Sequence, residues 1–295
     1  MFQTTEQGHQ LSLVGHRTAT TFTGFCAEHD LHLFRDVDFD NSRSFDPASP
    51  RQVVLLALRA AAREYWLKLN NQKLYQQLVE LGNREDYESL GRMLNLENAD
   101  AVRLTLTWEE KWKPSLLGTK VSLRRIQRLF RSLYQQVQTG SFHLTRTALF
   151  QIPGSPTVAA ASAFAPEFDL TGKQLNTLRL ESDVTDVTLN VMPTESATWV
   201  VFTYHRRHIG ALSPFFSQLM SLDQQPLRSV LSKMILMHCE NVVFSPAFIE
   251  GLTKQTRGLL EDVFSATILK ALPYKDVPDI SLFGDGKSNF EQSTA

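Results

Sequence analysis

Cysteine is scarce in this chain: Cys26 and Cys239 are the only two in 295 residues, too few for a disulfide framework, so stability has to come from a packed core. Long apolar runs are missing too. The longest aliphatic stretch, Val53 to Leu58, is cut by Arg59 far short of the ~20 residues that span a bilayer, which predicts no membrane segment. The opening MFQTTEQGHQ lacks the basic start and apolar stretch of a signal peptide, and cytoplasmic localisation is the expectation. A formal net charge of -1 excludes a whole-chain pull towards nucleic acid or anionic lipid, leaving local patches as the source of any electrostatic function.

The common catalytic and nucleotide-binding signatures G-x-G-x-x-G, H-E-x-x-H and G-x-S-x-G are absent. Gly286-Lys287-Ser288 ends like a phosphate-binding loop, but the first glycine of that loop would be Ser281 and no helical pattern follows. Whether the protein is an enzyme stays open on these grounds.

What is present is a globular composition, with 42% apolar residues, and a clear change of pattern along the chain. Residues 1 to 21 are polar and lack a helical period, which predicts loop with at most a short strand before a core beginning at Phe22. An acidic connection from Arg35 to Pro50 then ends in Ser49-Pro50, a cap followed by a ring with helix-compatible φ. Val54, Leu58, Ala61, Tyr65 and Leu69 recur at spacings of three and four, predicting a central helix over 50–81, stopped by Gly82-Asn83, with Arg59, Arg63 and Lys68 on its exposed strip.

Shorter helices are expected over 85–95 and 97–112, and a further one from Ser122 to Gly140 on the repeat Leu123, Ile126, Phe130, Leu133, Val137. β-Branched and aromatic runs at 142–151, 157–165, 186–192 and 197–205 predict antiparallel strands in two hairpins, the first turning at 153–156 and the second at 193–196. Helices return over 212–222, 226–239 and 246–269. The fold class is therefore α+β: a mainly helical N-terminal part, a small antiparallel sheet in the middle and C-terminal helices. The organisation expected is a helical region 1–140, sheet plus helices 141–272, and a flexible tail 273–295.

Two stretches carry candidate chemistry. In the first, Cys26 and His29 have the C-x-x-H spacing that lets one turn present two ligands to zinc, with His9 and His16 as the further metal ligands and His32 or Asp30 as substitutes. The same stretch suits nucleophilic catalysis, with Cys26 as thiolate, His29 or His16 as base and Asp30 or Glu28 as the orienting acid. The bland alternative is a small buried Cys between two Phe residues. In the second, the segment 103–131 holds eight Lys or Arg against Glu109 and Glu110, with Lys120, Arg124, Arg125, Arg128 and Arg131 set to follow a phosphate backbone and Trp108 and Trp112 beside Lys111 and Lys113. The alternative is a solvated face, or one that meets an acidic partner protein or the chain's own Asp36–Asp46 loop. Tyr204-His205-Arg206-Arg207-His208 is a weaker basic strand end, and His238-Cys239 belongs to an apolar helix core.

The pattern Thr21-Phe22-x-Gly24-Phe25-Cys26-x-x-His29-Asp30-x-x-Leu33-Phe34, with Gly8-His9 upstream and a long helix downstream, resembles a family of bacterial proteins over roughly residues 8 to 70. Members of that family are similar to zinc-containing nuclease-like modules and look like parts of anti-phage defence loci. The resemblance implies a protein that acts on or senses nucleic acid, with Cys26, His29 and Asp30 at a zinc or catalytic site. The other expectation is a non-enzymatic adaptor in which that stretch is structural and the basic face binds an acidic protein.

Overall fold

A computed structural model describes residues 1–5, 8–15, 19, 24–38, 44–177, 184–269 and 272–283, with the side chains at 4, 5, 98, 99, 101–114, 268 and 269 outside the description. The first 140 residues contribute a β-hairpin (β1, Phe2–Thr5; β2, Gly8–Leu11) and four helices: α1 (Ala27–Phe34), α2 (Pro50–Asn83), α3 (Tyr87–Leu94) and α4 (Asn98–Thr139). Strands β3 (Thr145–Pro153), β4 (Val158–Phe164), β5 (Val187–Pro193) and β6 (Ala197–His205) follow. The chain continues through α5 (Ile209–Met220), α6 (Gln224–His238), β7 (Asn241–Phe244), α7 (Pro246–Glu250) and α8 (Lys254–Leu269). Ser49 caps α2 by accepting from the Gln52 amide, and Gly140 closes α4 at φ 66°, a left-handed conformation that costs glycine little.

Strands β3 to β7 form one antiparallel sheet in the order β3-β6-β5-β4-β7. It is buried on both faces, because side chains alternate along each strand and both sets are apolar. Val200 and Phe202 of β6, with Val187, Leu189 and Val191 of β5, pack against Leu212, Phe215 and Leu219 of α5, Leu231 and Met234 of α6, and Leu260 and Phe264 of α8. Val201 and Trp199 of β6 and Ala163 of β4 face the other way, towards Val53 to Leu58 of α2 and Ile126, Leu133 and Val137 of α4. Each fully buried Leu or Phe here contributes about 1.5–3 kcal/mol by area. Strand β4, VAAASAF, is small-chained where α2 presents Ala57 and Ala61, both 0% exposed, so helix and sheet approach closely there. Beyond the sheet, α2 pairs with α4, with Tyr65 stacked on Phe130 and accepting from Gln127 Nε2 at 3.1 Å.

Four expectations are corrected by this architecture. Helices 97–112 and 122–139 are one continuous α4 that runs through Pro114 and Gly118. The missing amide of an interior proline costs ~3 kcal/mol, which packing along α2 offsets. Residues 153–156 do not close a hairpin: β3 pairs with β6, and β4 pairs with β5 and β7. The four-residue link instead crosses the end of the β5–β6 hairpin, Gly154 at φ 124° donating to the Ser196 carbonyl at 3.1 Å, which gives Greek-key connectivity. The second expected hairpin, β5 to β6, is present.

The core also extends at both ends. It begins at Phe2, stacked on Phe264 with ring centroids 3.7 Å apart, and not at Phe22. At the other end, Tyr274, Val277, Ile280, Leu282 and Phe283 are all buried, so the segment 273–283 is core and not flexible tail. The Leu282 amide donates to Ser232 Oγ at 2.9 Å, the Leu282 carbonyl accepts from Thr157 Oγ1, and the Phe283 carbonyl accepts from Arg228. The Gly286-Lys287-Ser288 stretch lies outside the described residues.

Candidate functional site

Cys26 is the residue at which extended chain turns into α1, with ψ 156°, so its side chain stands beside the unpaired amides of the first turn. Its Sγ lies 2.8 Å from His29 Nδ1, and both residues are exposed. The His29 backbone amide faces the sulfur without closing a full capping bond. That amide, then the His29 ring, holds the thiol below its ordinary range, while the hydrogen bond from Cys26 and then its charge raise the imidazole. One proton shared between these atoms favours the thiolate–imidazolium form that makes a cysteine nucleophilic.

Asp30 does not complete a triad with His29. Its Oδ2 accepts from Arg59 Nη2 at 3.2 Å, while Arg59 Nη1 meets Asp38 Oδ1 at 2.8 Å and the guanidinium carbon sits 4.5 Å above the Phe34 ring. Arg59 thus pins α1 to α2, and is a structural cation where the sequence pattern predicts an exposed one. Arg63 is likewise drawn inward, 3.3 Å from Glu64, whose carboxyl is raised by burial before any charge acts on it.

Among the described residues the expected metal set is not brought together. His9 lies on β2, its ring edge-on to Phe264 at 5.5 Å and its amide donating to Ser265 Oγ, in the core on the opposite face of the sheet from Phe34 and α1. His16 lies outside the described residues. Among the described residues no three His, Cys, Asp or Glu side chains converge on one point.

The basic region divides. Arg124, Arg128 and Arg131 are exposed on one side of α4, and among the described residues none has a carboxylate partner. Arg125 points inward instead, its Nε 3.1 Å from Asp186 Oδ1 at the start of β5, and leaves the stripe. Lys120 is half-buried on the same helix, while the side chains of Trp108, Lys111, Trp112 and Lys113 are outside the description. Among the described residues of the chain's own acidic loop, Asp36 pairs with Arg51 at 2.6 Å and Asp38 with Arg59, away from the stripe. His238 and Cys239 are core as expected. His238 stacks on Phe164 at 4.0 Å and meets Tyr274 OH at 3.0 Å, and burial raises the Cys239 thiol.

The sequence pattern missed Asp186 as the partner of Arg125. A signal for the stripe was available in the spacing of acids: from Lys111 to Pro166 there is no Asp or Glu at all.

The fold and site define a mixed α+β protein with an exposed Cys–His pair and a cationic helix face that has no carboxylate partner among the described residues. No helix is long and apolar enough to cross a membrane among the described residues. No family model matches the chain, no curated protein matches its sequence, and no solved structure matches its fold.

Proposed function

We propose that the protein binds nucleic acid through the α4 stripe Arg124, Arg128 and Arg131, with Cys26 and His29 supplying a reactive thiolate at a separate place on the surface. The observation that carries this reading is the contrast within one helix: Arg125 is neutralised by Asp186, whereas the three stripe arginines have no carboxylate partner among the described residues. Guanidinium groups at positions i, i+4 and i+7 span about 10 Å of helix, a length suited to successive phosphates. The anti-phage setting rests on the motif resemblance alone.

A salt titration tests the stripe. Each phosphate contact contributes about 0.9 to the slope of log K against log salt on duplex DNA and about 0.7 on a single strand. The triple variant Arg124→Ala/Arg128→Ala/Arg131→Ala is expected to lower the slope by roughly 2–3, and an unchanged slope would refute the assignment.

The adaptor reading is favoured by one observation: Asp30 is held by Arg59 and is not positioned to orient His29 as a catalytic base. On that reading the wild-type protein shows no salt-dependent binding to DNA or RNA.

A further inference from the structure

The geometry points to one continuous phosphate-binding track, formed by the α4 stripe together with the strand-end cations Arg146 and Arg206, which the sequence keeps 15 and 75 residues away from Arg131. This inference rests on the nucleic-acid reading of the stripe and extends it to a second element.

Helix α4 lies across one end of the sheet. Near its C-terminus, Gln136 Oε1 accepts from Thr145 Oγ1 at 3.0 Å at the start of β3, and Thr145 is registered opposite His205 at the end of β6. Eleven residues earlier, about 16 Å along the helix, Arg125 reaches Asp186, one residue before Val187, which is registered opposite Tyr204. The helix therefore passes the ends of β3, β6 and β5 in turn, where β6 gives way to Arg206-Arg207. The Arg206 amide donates to the Leu144 carbonyl at 2.8 Å, tying this corner to the turn that leaves α4.

Orientation around the helix supports the same conclusion. At 100° per residue Arg128 stands about 60° from Arg125, and Arg124 and Arg131 about 100–120° from it, all to the same side. The stripe thus borders the flank of α4 that touches the strand ends and lies opposite Ile126 and Leu133, which are buried. Arg146 and Arg206 are exposed; Arg146, registered opposite Tyr204, leaves β3 on the α5 face of the sheet, and its Nη1 is held by the carbonyls of His143 and Thr145, so the track turns around the sheet end from the α4 face to the α5 face. Arg207 is steadied through its Nε, 3.0 Å from His208 Nε2.

Local acid does not cancel this charge among the described residues. Asp186 is taken by Arg125, and Asp169 accepts from Thr171, Lys173 and Gln218. Glu181 and Asp183 lie outside the described residues. The occupant this chemistry fits is a nucleic-acid backbone, which offers closely spaced anions to two separate elements at once.

The experiment compares four full-length proteins: wild type, the stripe triple Arg124→Ala/Arg128→Ala/Arg131→Ala, the strand-end double Arg146→Ala/Arg206→Ala, and the combined quintuple. Binding of a fluorescent 30-nucleotide single strand and of the matching duplex is measured across a salt series, and circular dichroism checks each fold. Arg207 is left intact because it braces His208.

A single track predicts slope reductions of about 2–3 for the triple and about 1–2 for the double, adding in the quintuple, with Arg→Lys versions retaining most of the slope. A double that matches wild type while the triple loses slope overturns the track and leaves the stripe reading standing. A triple that matches wild type while the double loses slope overturns the stripe and the track with it. Wild-type protein that binds neither probe overturns both readings.

Discussion

Acid should destabilise this protein early, and the His238 imidazole is one separable source of the onset. His238 is half-buried, its ring packed against Phe164 and Tyr274 with no carboxylate within ion-pairing distance among the described residues, and desolvation of that ring lowers its pKa from 6.5 to about 3. The unfolded chain therefore binds a proton that the folded chain refuses. Stability is complete above about pH 6.5, declines as pH falls through the interval towards 3, and levels off below it. Each pH unit inside that interval is worth about 1.4 kcal/mol, so the loss reaches about 2 kcal/mol at pH 5, before most carboxylates titrate.

The assay is urea unfolding of wild type and His238→Gln at pH 7.5 and pH 5. The Gln side chain has no charge to acquire and keeps a polar group for Tyr274 OH, and comparing each protein with itself removes the fixed cost of the substitution. Wild type is expected to lose about 2 kcal/mol more than the variant between the two conditions. Equal losses would refute the argument that the imidazole is held neutral by burial.

Two further predictions concern the other ends of the molecule. Leu282→Ala, at a fully buried position in the C-terminal segment, should cost about 2–5 kcal/mol in chemical denaturation, and a cost below ~0.5 kcal/mol would mean that segment 273–283 does not share the core. Alkylation of Cys26 by iodoacetamide should have its pH midpoint below that of an ordinary thiol, and His29→Ala should move it upwards. Superimposable curves would show that the 2.8 Å contact does not activate the sulfur, and a thiol unreactive until a chelator is added would mark it as a metal ligand.

Local signals carried most of the element boundaries. Ser49-Pro50, Gly140 and the β-branched runs each specify backbone geometry through their own sterics, so α2, the end of α4 and strands β3 to β6 fall within a few residues of expectation. Pairing is a different kind of information. Nothing in Pro153-Gly154-Ser155-Pro156 states that the chain steps over two strands, because the partner of β3 is set by what β6 buries some fifty residues later.

The segment around Tyr274, Val277 and Ile280 was illegible for a related reason: its buried residues recur every three positions, matching neither the 3.6-residue period of an α-helix nor the two-residue period of a strand, and their burial is dictated by the surface they cover. At the candidate site, the C-x-x-H spacing did foretell that Cys26 and His29 meet. Asp30 and Arg125 were misassigned because a charged side chain's partner, here Arg59 or Asp186, can come from anywhere in the sequence.

One core of this protein holds Phe2 and Phe283 together, with some 280 residues of chain between them. On a ribosome adding ~5–20 residues per second, the strand that carries Phe2 waits roughly 15–60 s for its last neighbour to emerge. During that interval the apolar face of the central sheet that α5, α6 and α8 will cover is still incomplete, so the nascent chain exposes apolar surface that the finished one buries.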